Sequence, residues 1–238
     1  MTAIRAIGVV VPAHDERELL PACLEALARA TRAARALVAE VRVWVVLDAC
    51  RDDSERIASA RGVDVLSIDA RNVGRARGTG VAALTAAFAG TPPERVWIAN
   101  TDADSVVPPH WLTHQLRLAD AGADLVVGTV RPDFRDLSPE QCEAWWAMYT
   151  PGVANGHVHG ANLGIRASTL LAAGGFAPLP EHEDVDLVER ARATGAIVRA
   201  SDAAWVRTSG RASGRTAGGY ARYLREDLLP LAQRAGAR

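Results

Sequence analysis

Ile7-Gly8-Val9-Val10-Val11-Pro12-Ala13-His14-Asp15-Glu16 is the stretch whose reading decides the fold. Five apolar residues run without a polar interruption and end at a proline. Strands that alternate apolar and polar residues have one wet face; a continuous apolar run reads as a strand buried on both faces, as in a parallel sheet. The polar turn Ala13 to Glu16 follows, and then Leu20, Cys23, Leu24 and Leu27 recur at helical spacing.

The same unit repeats outward. Val43 to Leu47 is a second strand ending at Asp48, followed by a polar turn over Ala49 to Ser54 and a short helix to about Ala60. Val63 to Ile68 is a third strand. Asn72 to Gly80 reads as a Gly/Arg-rich turn leading into a helix, Val81 to Ala89. Val96 to Ala99 is a fourth strand, ending at Asn100-Thr101-Asp102-Ala103-Asp104. Strand, turn and helix in succession give a parallel α/β sheet with right-handed crossovers. Ligands of such sheets bind at the carboxyl ends of the strands, and the polar clusters fall there.

The second half is less regular. Leu125 to Val130 reads as a strand and Pro139 to Tyr149 as a helix. Pro151 to Gly164 reads as loop, Glu183 to Thr194 as an amphipathic helix stopped by Gly195, Arg207 to Gly219 as a mobile loop and Tyr220 to Ala232 as a last helix. No repeat or linker divides the chain. The expectation is one domain, 1–238, with a nucleotide-type half (1–104) and an acceptor and catalytic half (105–238).

Composition narrows the function. The chain has 238 residues, 49% hydrophobic and 23% charged, as an ordinary globular protein has. Twenty-seven basic residues against 28 acidic give −1, too balanced for a general nucleic-acid binder. All the basic residues are Arg, so a Schiff-base or P-loop lysine is excluded. Cys23, Cys50 and Cys142 stand far apart, which argues against a disulfide framework and for a reducing cytoplasm. Met1 to Val11 does not read as a signal peptide. No apolar run approaches the ~20 residues that span a bilayer. Peripheral membrane association is left open, as is a homodimer through the last helix.

Two carboxylate pairs carry the chemistry. Asp102-x-Asp104, on a turn after a buried strand, suits a hard divalent cation (Mn²⁺ or Mg²⁺) whose shell a substrate diphosphate completes; alone, such a pair is also an ordinary turn or cap. Glu183-Asp184 opens a helix, where acidic residues are favoured by the macrodipole, yet one of the two can face a cleft and act as general base on a hydroxyl. Arg71, Arg75 and Arg77 among glycines can face phosphates, and Arg207, Arg211 and Arg215 form a second basic run. Trp145, Trp146 and Tyr149 suit either a sugar ring or a core. His157 and His159 alternate as on a strand.

In order and spacing these clusters resemble the family-2 inverting glycosyltransferases of the GT-A fold. The resemblance runs from Ile7 to about Gly195. It is carried by Val10 to Glu16, Val45 to Asp48, Asn72 to Arg77, Asp102-Ala103-Asp104, Gly160-Ala161-Asn162, Gly174-Gly175-Phe176 and Glu183 to Asp186. It implies a Rossmann-like, mostly parallel sheet with helices on both faces, and an enzyme that moves a sugar from a UDP- or GDP-linked donor to a hydroxyl acceptor with a divalent cation.

It also implies residue roles. Pro12, Ala13, His14 and Glu16 hold base and ribose. Asp48 accepts the base N–H, and Arg77 lies near base and diphosphate. Asp102 meets ribose or metal, and Asp104 ligates the metal. Asp184 is the base, with Glu183 orienting it or a neighbouring arginine, and Asn162 and Glu183 are candidate sugar or acceptor contacts. Two departures stand out. Asp48 is followed by Ala49-Cys50 where the family often has a second acid, and Val206 to Ser209 lacks the histidine that completes the metal shell in many members. A nucleotide-sugar binder without turnover is the first alternative. A sugar-nucleotide pyrophosphorylase is the second; it is disfavoured because the first turn has neither glycine nor lysine.

Overall fold

A computed structural model describes residues 3–214, 216 and 218–236. Arg215 lies outside the described residues. One eight-stranded sheet runs through both halves. Its strands are β1 (Ala6–Ala13), β2 (Glu40–Asp48), β3 (Asp64–Ile68), β4 (Val96–Asn100), β5 (Ser105–Val106), β6 (Leu125–Pro132), β7 (Leu163–Arg166) and β8 (Val198–Thr208), in the order β3-β2-β1-β4-β7-β6-β8-β5.

The first four strands are parallel, with β1 paired to β2 on one side and β4 on the other. The crossovers are α1 (Leu20–Ala34), α2 (Ser54–Ser59) and α3 (Val73–Ala87). β7 runs antiparallel to both β4 and β6, so the sheet is mixed beyond β4. The run at Ile7 to Val11 is buried on both faces, as its unbroken hydrophobicity requires. Ile7, Val9 and Val11 pack with α1 and with α4 (Trp111–Asp120). Val10 and Val46 pack on the other face with α3, α6 (Ala167–Ala172) and α7 (Glu183–Ala193). A third, aromatic cluster joins α5 (Pro139–Met148) to the last helical segment. That segment begins as α8 (Tyr220–Arg222), passes through a π turn (Tyr223–Asp227) and ends as α9 (Leu228–Gly236).

Three expectations are corrected. The Gly/Arg-rich stretch is not a turn: α3 starts at Val73, capped by Asn72, whose side chain accepts the Arg75 N–H at 2.8 Å. Its glycines permit contact rather than break the helix. A Cβ at Gly74 would lie 2.1 Å from the Ala177 carbonyl oxygen, and one at Gly80 would lie 2.6 Å from Val10 of β1. Second, the stretch read as loop up to Gly164 contains the start of β7. Third, Arg207 and Thr208 belong to β8 rather than to a mobile loop; they pair with Val106 and Ser105. The sequence of β8 hides its alternation because Asp202 occupies a buried position. Its Oδ2 accepts the Tyr149 hydroxyl at 2.5 Å and the Gly152 N–H at 2.9 Å.

The α3 glycines generate a prediction with a sign change inside one helix. Gly78 has only an ordinary contact, 3.9 Å from Phe176, so Gly78→Ala raises stability by about 1 kcal/mol through helix propensity. Gly74→Ala and Gly80→Ala overfill their contacts and cost about 1–3 kcal/mol. At about 2–4 °C per kcal/mol for a chain of this size, thermal denaturation separates the three. A Gly74→Ala or Gly80→Ala variant as stable as Gly78→Ala contradicts this packing.

Candidate active site

The carboxyl ends of β1, β2 and β4, the starts of α3 and α7, and the segments 155–161, 208–214 and 218–223 enclose a cavity of about 710 Å³. Asp48, Asp102, Asp104 and Asp184 all line it, as do Pro12, Ala13, His14, Glu16, Arg77 and Glu183. Residues as far apart as the first and last quarters of the chain therefore share one hollow, at the switch point where the strand order reverses.

The β1 turn is built by its neighbours. Asp15 takes a left-handed φ of 51°, which Asp tolerates better than most residues. The His14 Nδ1 bonds the Asp48 carbonyl at 2.5 Å, and the Glu16 N–H donates to Ser54 at 3.0 Å. The Asp48 carboxylate receives three backbone N–H groups at 2.7 Å each: those of Ala70 and Arg71 on Oδ1 and that of Asn72 on Oδ2. It thereby shapes the entry to α3. A carboxylate has about four acceptor positions, which leaves one for a ligand.

Arg77 sits at the centre. It is 2% exposed. Its Nη2 donates to Asp102 Oδ1 at 2.6 Å and its Nε to Glu183 Oε1 at 2.9 Å, while Nη1 has no hydrogen-bond partner among the described residues. Gly160 lets the guanidinium in, because a Cβ there would lie 2.2 Å from Nη2. The Gly160 N–H in turn donates to Asp184 Oδ2 at 2.5 Å. Burial pushes the Glu183 carboxyl upward and Arg77 pulls it back. Glu183 thus bonds the arginine, and Asp184 stands at the cavity wall.

Asp102 and Asp104 leave the same turn after β4. Burial, and next the charge of Asp102, lift the Asp104 carboxyl to about 6, against the pull of Arg211. Burial is the larger of the two causes, and the neighbouring Asp102 charge adds to it. The Asp104 Oδ1 accepts the Thr208 hydroxyl at 3.2 Å, and its Oδ2 lies 3.0 Å from Arg211 Nη2. Arg211 also grips both oxygens of Glu16, at 2.7 and 3.0 Å. Two carboxylates on one turn, beside surplus negative charge and open to a cavity, fit a divalent cation that shares its shell with a bound diphosphate. Among the described residues, three donor groups lie within mutual ligand reach at Asp15, Cys50 and Asp52. Both carboxylates there accept backbone N–H groups, and the Cys50 thiol donates to the Ala13 carbonyl, so this cluster builds the turn.

Other expected residues fall elsewhere. Asn162 is 2% exposed and does not line the cavity. Its amide donates to the Thr129 and Ala204 carbonyls at 3.0 Å each and accepts the Trp111 indole N–H at 2.8 Å, pinning β6, β8 and α4 together. Trp146 is stacked on Phe134 and Tyr149 packs in the aromatic cluster; of the three aromatics only Trp145 reaches the cavity. Two residues stand out beyond the sequence reading. Arg211 falls in the stretch read as a mobile loop, and no pattern in sequence ties it to Glu16, 195 residues away. His159 is read in sequence only as alternating with His157. It lines the cavity, with its ring 5.6 Å from that of Tyr220, and its position before Gly160 in the glycine-asparagine motif was the available signal.

The chain matches the family model described as "Glycosyl transferase family 2" over residues 8–151. It is 34% identical over 138 residues to an undecaprenyl-phosphate 4-deoxy-4-formamido-L-arabinose transferase of Pseudomonas savastanoi pv. phaseolicola, a match that covers 56% of this chain and 38% of that protein. The chain therefore spans well under half the length of the curated relatives it matches. Among solved structures it is similar to the mannosyltransferase PcManGT from Pyrobaculum calidifontis in complex with GDP-Man and Mn²⁺ (TM-score 0.65, 19% identity, 100% of this chain and 65% of that one). It is also similar to S. aureus TarS 1-349 in complex with UDP-GlcNAc (TM-score 0.62, 16% identity, 90% and 61%). These two likenesses establish the fold, a GT-A sheet flanked by helices.

The site gives a pH prediction. Burial holds the His159 imidazole down to about 4, only partly opposed by Asp184, whereas a free imidazole titrates near 6.5. Between these values the unfolded chain binds a proton that the folded chain does not, so His159 withdraws stability as pH falls from 7 toward 4. Asp104 acts oppositely: folded, it holds a proton up to about 6. Replacing His159 with Gln removes only the first effect. The Tm of the variant relative to wild type therefore rises between pH 7.5 and pH 5; parallel curves contradict a neutral imidazole here.

Proposed function

Because this chain belongs to glycosyl transferase family 2, we propose that it transfers a sugar from a nucleoside diphosphate donor to a hydroxyl acceptor with inversion, assisted by a divalent cation. The observation that carries this reading is the convergence of Asp48, Asp102, Asp104 and Asp184 on one cavity. The fold relatives bound to UDP-GlcNAc and GDP-Man support a nucleotide-sugar donor of the same kind.

In this reading the β1 turn and the free acceptor position of Asp48 receive the base and ribose. Asp102 and Asp104 hold the cation, and when bound it neutralises charge on the leaving diphosphate. Arg77 fixes Asp102 against Glu183. Asp184 takes the proton of the acceptor hydroxyl while that oxygen attacks the anomeric carbon. The nucleotide departs from the opposite face, so a single displacement inverts the anomeric configuration. The Gly160 N–H holds the Asp184 carboxylate in place for this.

Three measurements test the reading together. UDP or GDP with Mn²⁺ raises the Tm, and Asp104→Ala removes most of the rise. Asp184→Asn lowers turnover by about 100- to 10,000-fold, the usual contribution of a general base, and leaves nucleotide binding intact. The product of an α-linked donor is a β-glycoside by NMR. Equal, near-zero turnover in wild type and Asp184→Asn, with nucleotide still bound, identifies a binder without turnover. Release of pyrophosphate from a nucleoside triphosphate identifies a pyrophosphorylase.

A further inference from the structure

We propose that Arg211 is an internal cation that competes with the divalent metal ion for the carboxylates of Glu16 and Asp104, and so sets how readily the site takes its metal. The inference rests on the reading of Asp104 as a cation ligand and goes beyond it.

Both oxygens of the buried Glu16 side chain are gripped by Arg211, and the same guanidinium reaches Asp104 Oδ2 at 3.0 Å. Three carboxylate oxygens from two distant segments thus converge on one positive group. A guanidinium suits this place, being planar, permanently charged and weakly hydrated. Asp104 Oδ1 accepts the Thr208 hydroxyl, and a metal ion bound through Oδ2 would sit beside the guanidinium, where the two positive charges repel. Asp102 offers no such conflict, because Arg77 holds its Oδ1 and, among the described residues, no hydrogen bond to its Oδ2 accompanies that one.

The exchange needs only the side chain to move. The backbone around Arg211 is anchored independently, by the Ser209 N–H on the Asp104 carbonyl at 3.2 Å and the Gly210 N–H on Asp136 at 2.9 Å. The Arg211 side chain is 26% exposed, whereas that of Arg77 is 2% exposed. One arginine of the pair is therefore locked and the other releasable. When released, Arg211 remains at the cavity wall, where a diphosphate offers it new acceptors. A carboxylate oxygen shared between two exclusive cations makes their binding antagonistic, and the antagonism is reciprocal.

The test titrates nucleotide-free protein with Mn²⁺ alone, by calorimetry or by the EPR signal of free Mn²⁺. Arg211→Gln binds Mn²⁺ at least about tenfold tighter than wild type. Arg211→Lys, which keeps the charge but loses the fork, falls between the two and covers the case in which Arg211→Gln folds poorly. Arg207→Gln removes the same charge from a neighbouring residue whose ion pair is with Asp133, and it changes the affinity less than about twofold. Unchanged or weaker Mn²⁺ binding in both Arg211 variants overturns the proposal, and so does an equal gain in Arg207→Gln. The two readings separate when UDP is added. Mn²⁺–UDP binding in all the proteins, together with an unchanged affinity for Mn²⁺ alone in both Arg211 variants, overturns the competition alone. No Mn²⁺ binding in any protein, with or without UDP or GDP, overturns the cation site as well.

Discussion

Arg77 carries one positive charge into the interior and has to find its partners there. It finds them 25 and 106 residues away, in Asp102 after β4 and Glu183 at the head of α7. A buried guanidinium without partners costs several kcal/mol, so the two carboxylates and the arginine are mutually required. The consequence is geometric. The β4 turn, the first turn of α7 and the Gly160 backbone are drawn to one point, and Asp104 and Asp184 are brought to the cavity as neighbours of the residues that Arg77 binds. Gly160 belongs to the same constraint, since any larger residue would strike the guanidinium.

The nucleotide-type half was legible because its physics is local. A strand buried on both faces announces itself as an apolar run, and the polar residues that end it sit at the sheet edge by topology alone. Hence β1, β2, β4 and the positions of Glu16, Asp48, Asp102 and Asp104 could be read from sequence. The second half resists because its strands are held by long-range polar contacts. β8 hides a buried Asp202 whose partners come from Tyr149 and Gly152, and β7 has only four residues. Glycine misled at α3, where it signals close helix packing rather than a turn. Asn162 lies away from the cavity wall, bonded between β6, β8 and α4, a placement that its position in the motif does not disclose.

Charge organises the cavity as much as shape does. Asp102, Asp104, Glu16, Glu183 and Asp184 crowd together, with Arg77 and Arg211 as their cations. Burial first, and the Asp102 charge next, lift Asp104 to about 6. In the proposed reading the unbalanced carboxylates receive the cation that a metal-bound nucleoside diphosphate would bring. Asp48 adds a different economy. By taking three backbone amides it organises the start of α3, and so the position of Arg77, while keeping one acceptor position toward the cavity.

The account stands on one nucleotide site at the carboxyl edge of β1, β2 and β4. A crystal structure of the chain with UDP or GDP tests it most directly. The account predicts the diphosphate between the Pro12–Glu16 turn and Asp102–Asp104, with the Arg77 contacts to Asp102 and Glu183 intact. A nucleotide seated elsewhere, for example in the smaller hollow of about 310 Å³ beside Cys50, Asp52 and Asp69, contradicts it.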